Sequence, residues 1–288
     1  MTALRGRTVV ITGAAGGIGL RIAETALDQG ARVVGWDRNP AALRAWEQRR
    51  PLEVQQGRLL TDSVDVSDNT AVQAAATEVL RRTGHVDVLV NNAGVVSGEM
   101  LLDLTPEQIE RTIGVNVLAL FWTTKAFLPG MVERNSGHVV TVSSAAGLLG
   151  VRRQTDYSAS KHAAVGFDAS LRAEMRQVAP GVLTTVVCPF YVDTGMFHGA
   201  KTRVPWLLPI LSEEYVAERI VRAVEHNRPR VFLPWVIRNL YLGQFMPTAF
   251  FDSLMDLMGV NVSMDEFVGR SDSPAEAGAT QMPLRRGA

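Results

Sequence analysis

The stretch VVTVSSAAGLLGVRRQTDYSASK at residues 139–161 passes from a predicted buried strand, through a loop, into a predicted helix. Its first four residues are β-branched, which is typical of a strand inside a sheet. Tyr157 and Lys161 lie four residues apart, so a helix places both side chains on one face. Ser144 follows the strand at its carboxyl end, where open α/β sheets place their chemistry. The stretch therefore predicts an α/β protein in which serine, tyrosine and lysine share one site for proton transfer at a substrate oxygen.

Strands and helices alternate along the rest of the chain. The predicted strands are residues 7–12, 31–36, 59–66, 86–90, 139–142, 183–187 and 230–233. The predicted helices are residues 20–29, a helix from Pro40, then 68–82, 105–132 with a bend near Pro129, 157–178 and 212–226. This alternation predicts a doubly wound parallel sheet with helices on both faces. We expect one domain over residues 1–270 and a disordered tail at 271–288, which is rich in Ser, Pro, Ala and Gly.

Composition excludes several classes of protein. The 288 residues carry 29 Lys and Arg against 29 Asp and Glu, so bulk charge gives no reason to expect a nucleic acid or an anionic membrane as partner. Cys188 is the only cysteine, so neither an intrachain disulfide nor a thiolate metal cluster can form, and the scattered histidines predict no metal site. The sequence begins without an apolar signal region and has no uninterrupted apolar run long enough for a spanning helix. We therefore expect a cytoplasmic protein.

The first strand ends in a glycine-rich loop, GAAGGIG at residues 13–19, that opens a helix. Missing side chains at such a turn let the backbone approach a pyrophosphate, and the helix N-terminus supplies N–H donors. The alternative is a tight turn that binds nothing, but the position between strand and helix favours a dinucleotide. The predicted cofactor-binding residues of this loop are Gly13, Ala15, Gly17, Ile18 and Gly19.

Two carboxylates follow the next strands and predict which cofactor binds. Asp37 lies at the end of the second strand, where a carboxylate accepts the hydroxyls of an adenosine ribose and repels a 2′-phosphate. We therefore expect NAD rather than NADP, although the neighbouring Arg38 could bind that phosphate. Asp65 and Val66 end the predicted third strand, where they can reach an adenine. The alternative for Asp65 is a surface aspartate that caps the next turn.

Three motifs together resemble the classical short-chain dehydrogenase/reductase family over about residues 5–235. They are TGAAGGIG at residues 12–19, NNAG at 91–94 and YSASK at 157–161 with Ser144 upstream. The resemblance implies a Rossmann fold and an oxidoreductase that uses a nicotinamide cofactor. The run CPFYVDTG at residues 188–195 resembles the branch of that family that acts on retinoids, steroids and other lipophilic alcohols. Most members have glycine where this chain has Phe190.

The residue pattern and the resemblance assign the same catalytic groups. Tyr157 is the predicted acid and base, and the ammonium of Lys161 is expected to lower the pKa of its phenol from about 10. Ser144, rather than Ser143, has the spacing to Tyr157 for holding the substrate oxygen. The resemblance adds that Lys161 also holds the nicotinamide ribose. It further implies that Asn116 supports a water relay to the lysine, whereas Asn116 alone would be an ordinary polar helix residue.

The resemblance also implies further cofactor contacts. Asn92 and Gly94 belong to the NNAG turn, and Val192 and Thr194 match positions that contact the nicotinamide carboxamide.

Residues 190–212 form a proline- and aromatic-rich connection that we predict to be a substrate lid. Its side chains, with those flanking the catalytic loop, suit a lipophilic alcohol or ketone. The neighbouring Arg152 and Arg153 could bind a carboxylate or form a solvated face. The predicted substrate-pocket residues are Leu149, Gln154, Tyr191, Met196 and Phe197.

Residues 235–260 form an apolar extension with three interpretations. It could pack on the lid, form a subunit interface or lie on a membrane surface. The small residues Ala159, Ala163 and Gly166 resemble the helix-pairing dimer surface of the family, which implies a homodimer or homotetramer.

These observations predict an oxidoreductase that transfers a hydride between NAD(H) and a lipophilic secondary alcohol or ketone, or a related alcohol or aldehyde. One alternative is an NADPH-dependent carbonyl reductase with the same chemistry run backwards. A second is a non-catalytic NAD-sensing scaffold, which the presence of all four catalytic side chains disfavours.

Overall fold

Seven parallel strands form one sheet in the order β3-β2-β1-β4-β5-β6-β7. The structure, a computed structural model, describes residues 3–243 and 245–269, so the tail predicted at 271–288 lies outside the described residues. The strands are β1 (Thr8–Thr12), β2 (Arg32–Asp37), β3 (Leu59–Ser63), β4 (Val88–Asn91), β5 (Gly137–Val142), β6 (Val182–Pro189) and β7 (Arg230–Leu233). The order reverses between β1 and β4, which makes the crevice there the expected ligand site.

Helices cover both faces of the sheet. They are α1 (Gly17–Asp28), α2 (Pro40–Arg49), α3 (Pro51–Gln55), α4 (Asn69–Thr83), α5 (Pro106–Ile113), α6 (Ala119–Glu133), α7 (Thr155–Val178), α8 (Glu213–Glu225), α9 (Leu240–Gly243) and α10 (Thr248–Leu257). Val9 and Ile11 of β1 pack with α1, α2 and α8, whereas Val10 between them packs with α4, α6 and α7. The alternation of β1 side chains between two apolar cores confirms the predicted doubly wound α/β sheet.

Most strand boundaries shift by one or two residues from the sequence prediction, and two shifts have a visible cause. β3 ends at Ser63 rather than at residue 66, because Asp65 turns the chain by accepting hydrogen bonds from the N–H and the hydroxyl of Ser67. β6 runs on to Pro189, where the prediction ended it at residue 187, since its last four residues pair with β7. Long-range pairing therefore lengthens one strand, and a local side-chain turn shortens the other.

The long helix predicted over residues 105–132 is divided in two, and the bend near Pro129 stays a prediction. Pro129 lies within the regular helix α6, and the helix is interrupted earlier, by a π-helical turn at Gly114–Leu118. Such turns are frequent at functional sites, and this one carries Asn116. By length and composition the run Pro106–Glu133 is the one helix in the described chain that could cross a membrane. Its buried side chains, such as Phe127 and Met131, pack on the sheet as in the core of a soluble domain.

The lid and the apolar extension lie together beside the carboxyl ends of β5 and β6. The two ends of the lid meet where Val192 pairs with Leu211. The extension forms a 3₁₀ turn at Trp235–Asn239 and then α9 and α10. Ile237 and Met255 of the extension and Leu208 of the lid share one apolar core with the catalytic loop. Of the three interpretations of the extension, the structure therefore shows packing on the lid.

Candidate active site

Two adjacent serines leave the end of β5 in different directions. The hydroxyl of Ser143 donates to the carbonyl of Lys161 at 2.9 Å, behind the site. Ser144 begins the 3₁₀ turn Ala145–Gly147, accepts a hydrogen bond from the N–H of Ala146 and is hydrogen-bonded to the hydroxyl of Tyr157. Because Ser144 also lines a cavity, the structure places Ser144, and not Ser143, where a substrate oxygen would bind.

Helix α7 places Tyr157 and Lys161 together in the buried part of the site. Both side chains are buried, and the Lys161 ammonium lies 5.5 Å from the centre of the Tyr157 ring. Burial raises the pKa of Tyr157, and the hydrogen bond from Ser144 only partly opposes it. Burial also lowers the pKa of Lys161 to about 8. The pKa of the phenol is thus raised, where the sequence predicted a lowering, because loss of solvation dominates and the Lys161 ammonium is not among the groups that shift it.

Asn116 in the π-helical turn holds two segments of the site together. Its side-chain oxygen accepts from the N–H of Val95 at 2.8 Å, and its amide donates to the carbonyl of Val95 at 2.9 Å. The same amide donates to the hydroxyl of Ser160, one residue before Lys161. Asn116 thus fixes the chain after β4 against α7. Its support of a water relay to Lys161 stays a prediction.

The glycine loop has the geometry of a phosphate cradle. Gly13 and Gly17 adopt positive φ angles of 66° and 56°, which favour glycine. A side chain at Gly19 would overlap the carbonyl of Gly13, whereas a Cβ at Gly16 would meet open space. Gly16 provides no side-chain cap to α1, so the first N–H groups of this helix can serve a ligand. A pyrophosphate fits this turn.

Asn92 supports the cradle from the next strand. Its amide donates to the carbonyls of Thr12 and Gly13 at 2.9 and 3.2 Å, and its own N–H donates to the hydroxyl of Thr12. The amide nitrogen is thus committed to the loop, and a direct contact of Asn92 with a cofactor stays a prediction. Gly94 lies further along the same turn, where an added Cβ would come within 3.4 Å of the Lys161 ammonium.

The two predicted adenosine-binding carboxylates differ in their surroundings. Asp37 is half-buried and accepts hydrogen bonds from the N–H groups of Ala15 and Asn39, at 3.1 and 3.0 Å, which joins it to the glycine loop. Asp65 forms the turn to Ser67, and those hydrogen bonds lower its pKa. The turn-capping alternative for Asp65 is therefore present in the structure, and its contact with an adenine stays a prediction. The neighbouring Val66 packs in an apolar core.

The remaining predicted cofactor residues lie at the mouth of the same crevice. Val192 is buried at the base of the lid, and the hydroxyl of Thr194 accepts from the N–H of Met196 at 3.3 Å. Ala15 and Ile18 pack against the core beneath the glycine loop.

A cavity of about 70 Å³ lies between the catalytic loop, the lid and the extension. Four residues singled out from the sequence line it, namely Ser144, Leu149, Gln154 and Tyr191. Phe190, which replaces the usual glycine, lines it too and packs against the ring of Tyr191 at 4.7 Å. The predicted pocket residues Met196 and Phe197 lie outside its lining, and Phe197 instead covers Tyr157.

The extension supplies the cavity residues that sequence reasoning missed. These are Val236, Ile237, Leu240, Met255, Met258 and Val260. Their apolar character was visible in the sequence, but only the packing of α9 and α10 on the lid shows that they face a cavity.

The two arginines after the catalytic loop lie on the solvated face that was one of their two predicted places, since Arg152 is exposed and Arg153 is partly exposed. Arg152 pairs with Asp265, and Arg153 donates to the carbonyl of Gly98 and pairs with Glu99. Neither side chain lines the cavity. Among the described residues, no group of three or more His, Cys, Asp or Glu side chains is placed to hold a metal ion.

A phosphate cradle at the switch point of a parallel sheet, beside a buried tyrosine and lysine, defines a dinucleotide-dependent oxidoreductase. The chain belongs to the short chain dehydrogenase family, which matches residues 7–204. The predicted family and enzyme class are thus confirmed.

Several known proteins are similar to this chain. The bovine short-chain dehydrogenase/reductase family 16C member 6 is 38% identical over 271 residues, which cover 93% of this chain and 85% of that protein. Human retinol dehydrogenase 10 is 38% identical over 267 residues, covering 84% and 77%. A short chain dehydrogenase/reductase from Burkholderia phymatum in complex with NAD superposes with a TM-score of 0.76 at 28% identity, covering 85% and 95%. A metagenomic short-chain oxidoreductase in complex with NADP has a TM-score of 0.65 at 32% identity, covering 77% and 92%.

Proposed function

We propose that this protein is an NAD(H)-dependent dehydrogenase of lipophilic alcohols, acting on a secondary alcohol and its ketone or on a related alcohol and its aldehyde. The observation that carries the proposal is the cavity, in which Ser144, Gln154 and Tyr191 are the only polar residues of an otherwise apolar wall in the described chain. Such a wall suits a substrate with one oxygen at the catalytic end and a long apolar body. Relatives named as retinol dehydrogenases support this substrate class.

Three catalytic side chains divide the work at the substrate in this proposal. Ser144 donates a hydrogen bond to the substrate oxygen and holds it beside the phenol. Tyr157 takes the hydroxyl proton of the alcohol during oxidation and returns it during reduction. Lys161 stabilises the phenolate by its charge and holds the nicotinamide ribose. A nicotinamide held by Lys161 and the glycine loop would supply the hydride-accepting chemistry that these side chains lack.

An absorbance screen at the NADH band tests this activity. Purified protein with NAD is offered all-trans-retinol, hydroxysteroids and simple secondary alcohols, and Tyr157→Phe is the matched control. We expect turnover of at least one lipophilic alcohol and a loss of about 100-fold or more in Tyr157→Phe, because the proton acceptor is gone. Full activity in that variant would refute the mechanism.

We propose NAD as the cofactor on the basis of Asp37. Its carboxylate is anchored to the glycine loop, at the end of the strand where a carboxylate accepts the hydroxyls of an adenosine ribose. The alternative, NADPH, depends on Arg38, which is exposed beside it. Both cofactors occur in similar solved structures, so similarity alone does not choose between them.

Titration of both cofactors into Asp37→Asn separates these alternatives. Asparagine keeps the acceptor for the N–H of Ala15 but removes the charge, so we expect NAD affinity to fall and NADP affinity to rise, each by about tenfold. Asp65→Asn is the matched control, and it should change both affinities equally or not at all. Tighter binding of NADP than NAD by the unaltered protein would overturn the choice.

We also propose that the protein pairs through α7. Ala159 and Gly166 are exposed there, Ala163 is partly exposed, and the rings of Phe121 and Phe167 pack edge-on beside them at 5.0 Å. Small residues let two helices approach closely. Light scattering should give a dimer or tetramer, and Gly166→Arg should shift it to monomer. A monomeric unaltered protein would refute the pairing.

The outer side of the extension exposes apolar side chains, which permits a test of the membrane interpretation. Trp235, Phe245, Phe250 and Leu257 are all exposed there. Such a surface suits shallow contact with lipid through apolar side chains rather than through charge. Flotation with neutral phosphatidylcholine vesicles tests this contact, and protein that stays unbound would exclude it.

A further inference from the structure

The segment that begins at the last residue of the extension, residues 260–268, crosses three loops that surround the active site. We call it the C-terminal strap. Arg152 of the catalytic loop donates to the carbonyl of Asn261 at 3.0 Å. In the lid, the N–H of Lys201 donates to the carbonyl of Ser263 at 2.9 Å. The ring of Phe267 lies so close to Gly98, in the loop after β4, that an added Cβ there would overlap it. The strap thus joins segments that are separate in the sequence.

A buried chain of hydrogen bonds connects the strap to the cavity. The amide nitrogen of Gln154 lies 3.2 Å from the hydroxyl of Tyr191, which lies 2.8 Å from the hydroxyl of Ser263. The Ser263 hydroxyl lies 2.6 Å from the carbonyl of Val260. All three side chains are buried, with exposed fractions of 1%, 7% and 3% for Gln154, Tyr191 and Ser263.

Counting hydrogens fixes the direction of this chain. A carbonyl only accepts, so Ser263 gives its one hydrogen to Val260. Tyr191 must therefore donate to Ser263, and its own oxygen must accept from the amide nitrogen of Gln154. This order assigns the orientation of the Gln154 amide, which distance alone would leave open. Its nitrogen is used by Tyr191, and its carbonyl oxygen is left for the cavity that Gln154 lines.

We propose that Ser263 is a positioning residue for the substrate. Its hydroxyl binds the C-terminal strap to Tyr191, and this contact fixes the cavity wall and the orientation of the Gln154 amide. Val260, Tyr191 and Gln154 all line the cavity, one each from the extension, the lid and the catalytic loop. Removing the Ser263 hydroxyl leaves the buried Tyr191 hydroxyl without its acceptor, which weakens the closure of all three. The proposal rests on the proposed function for the identity of the substrate only.

Steady-state kinetics with all-trans-retinol and NAD test the role in substrate binding. We expect Ser263→Ala and Tyr191→Phe each to raise KM about tenfold, because each breaks the same buried hydrogen bond. Turnover at saturation and the Kd for NAD should change less than about twofold, since Tyr157 and the glycine loop are not in the chain of hydrogen bonds. The double variant should be no worse than Tyr191→Phe alone, because that change already removes the hydrogen bond between Tyr191 and Ser263.

Ser253→Ala is the matched control, since Ser253 also donates to a carbonyl of its own segment but is exposed and does not contact the lid. It should leave KM unchanged. Equal KM values for Ser263→Ala and the unaltered protein would overturn the proposal. So would a parallel fall in turnover, NAD affinity and melting temperature, which would show a structural role alone.

A substrate-independent measurement separates this proposal from the proposed function. The neutral fluorophore N-phenyl-1-naphthylamine is the cavity probe, and amide hydrogen exchange reports on residues 260–268 and 190–212. Ser263→Ala should weaken probe binding about tenfold and speed exchange in both segments, even if no alcohol is oxidised. Unchanged binding and exchange would overturn the proposal, whereas a protein inactive on every alcohol would overturn only the proposed function.

Discussion

The ring of Phe197 lies edge-on against the ring of Tyr157, with 5.7 Å between the ring centres and 79° between the planes. Phe197 also packs against Tyr191 at 5.1 Å. A lid side chain therefore covers the predicted acid and base, and it does so next to the residue that the strap holds. The closed lid is one cause of the burial that raises the pKa of Tyr157.

Phe197→Ala should shift the pH dependence of the reaction. Removing the ring admits water to Tyr157, which favours the phenolate and lowers its pKa toward the ordinary value. The rising limb of kcat/KM for alcohol oxidation should move to lower pH, and KM should increase because the lid closes less well. Phe121→Ala, a ring removed from the exposed side of α6, is the control. Superimposable pH profiles for Phe197→Ala and the unaltered protein would contradict this.

Lys161→Met should lower the activity and raise the stability of the protein. Burial lowers the pKa of Lys161 from 10.5 to about 8, so the folded protein at neutral pH bears the cost of a buried ammonium. Methionine removes that cost, and we expect the free energy of unfolding at pH 7 to rise by about 1–3 kcal/mol. Activity should fall by about 100-fold or more, since the phenolate loses its partner.

The pH dependence of that gain has a definite sign. The unfolded chain binds more protons than the folded one between pH 8 and 10.5, so the stability of the unaltered protein increases across that window. The advantage of Lys161→Met should therefore shrink as pH rises from 8 to 10.5, measured by urea unfolding. Tyr157→Phe, which keeps the ammonium, should show no such pH-dependent gain relative to the unaltered protein. A constant difference would show that the buried charge is not its source.

Gly16→Ala should separate cofactor binding from folding. A Cβ at this position meets open space in the protein, so the melting temperature should change by less than about 2 °C. The same Cβ would lie at the N-terminus of α1, where a pyrophosphate must approach, and NAD affinity should fall about tenfold. Gly150→Ala also meets open space but is remote from the glycine loop, and it should affect neither quantity. Unchanged NAD binding in Gly16→Ala would show that the pyrophosphate does not bind at this turn.

His138 should make the protein acid-sensitive. Its ring is buried in β5 and hydrogen-bonded to the hydroxyl of Thr185, and burial lowers its pKa from 6.5 to about 4. The unfolded chain takes up the proton first, so stability that is complete above pH 6.5 is lost as pH falls to 4, by about 3 kcal/mol. His138→Gln should flatten this dependence in urea unfolding, whereas His226→Gln, at an exposed position, should not. An equal loss in all three proteins would assign the effect elsewhere.

Local patterns in the sequence were enough to predict which residues carry the chemistry and which strands they follow. The glycine loop, Ser144, Tyr157 and Lys161 were predictable because each depends on spacing within one strand–turn–helix unit. The π-helical turn at Gly114–Leu118 was not predicted, because a proline is visible in a sequence whereas this turn depends on the tertiary contacts of Asn116.

The sequence by itself determined a doubly wound sheet, a dinucleotide loop and a serine–tyrosine–lysine site, because hydrophobic period and residue spacing are local properties. Only the tertiary structure decided that the extension walls the cavity, that Phe197 covers Tyr157 and that burial raises the pKa of the Tyr157 phenol. The hydrogen bond between Tyr191 and Ser263 joins residues 72 positions apart. Such contacts, and the loss of solvation that they cause, depend on how distant segments pack, which no local pattern records.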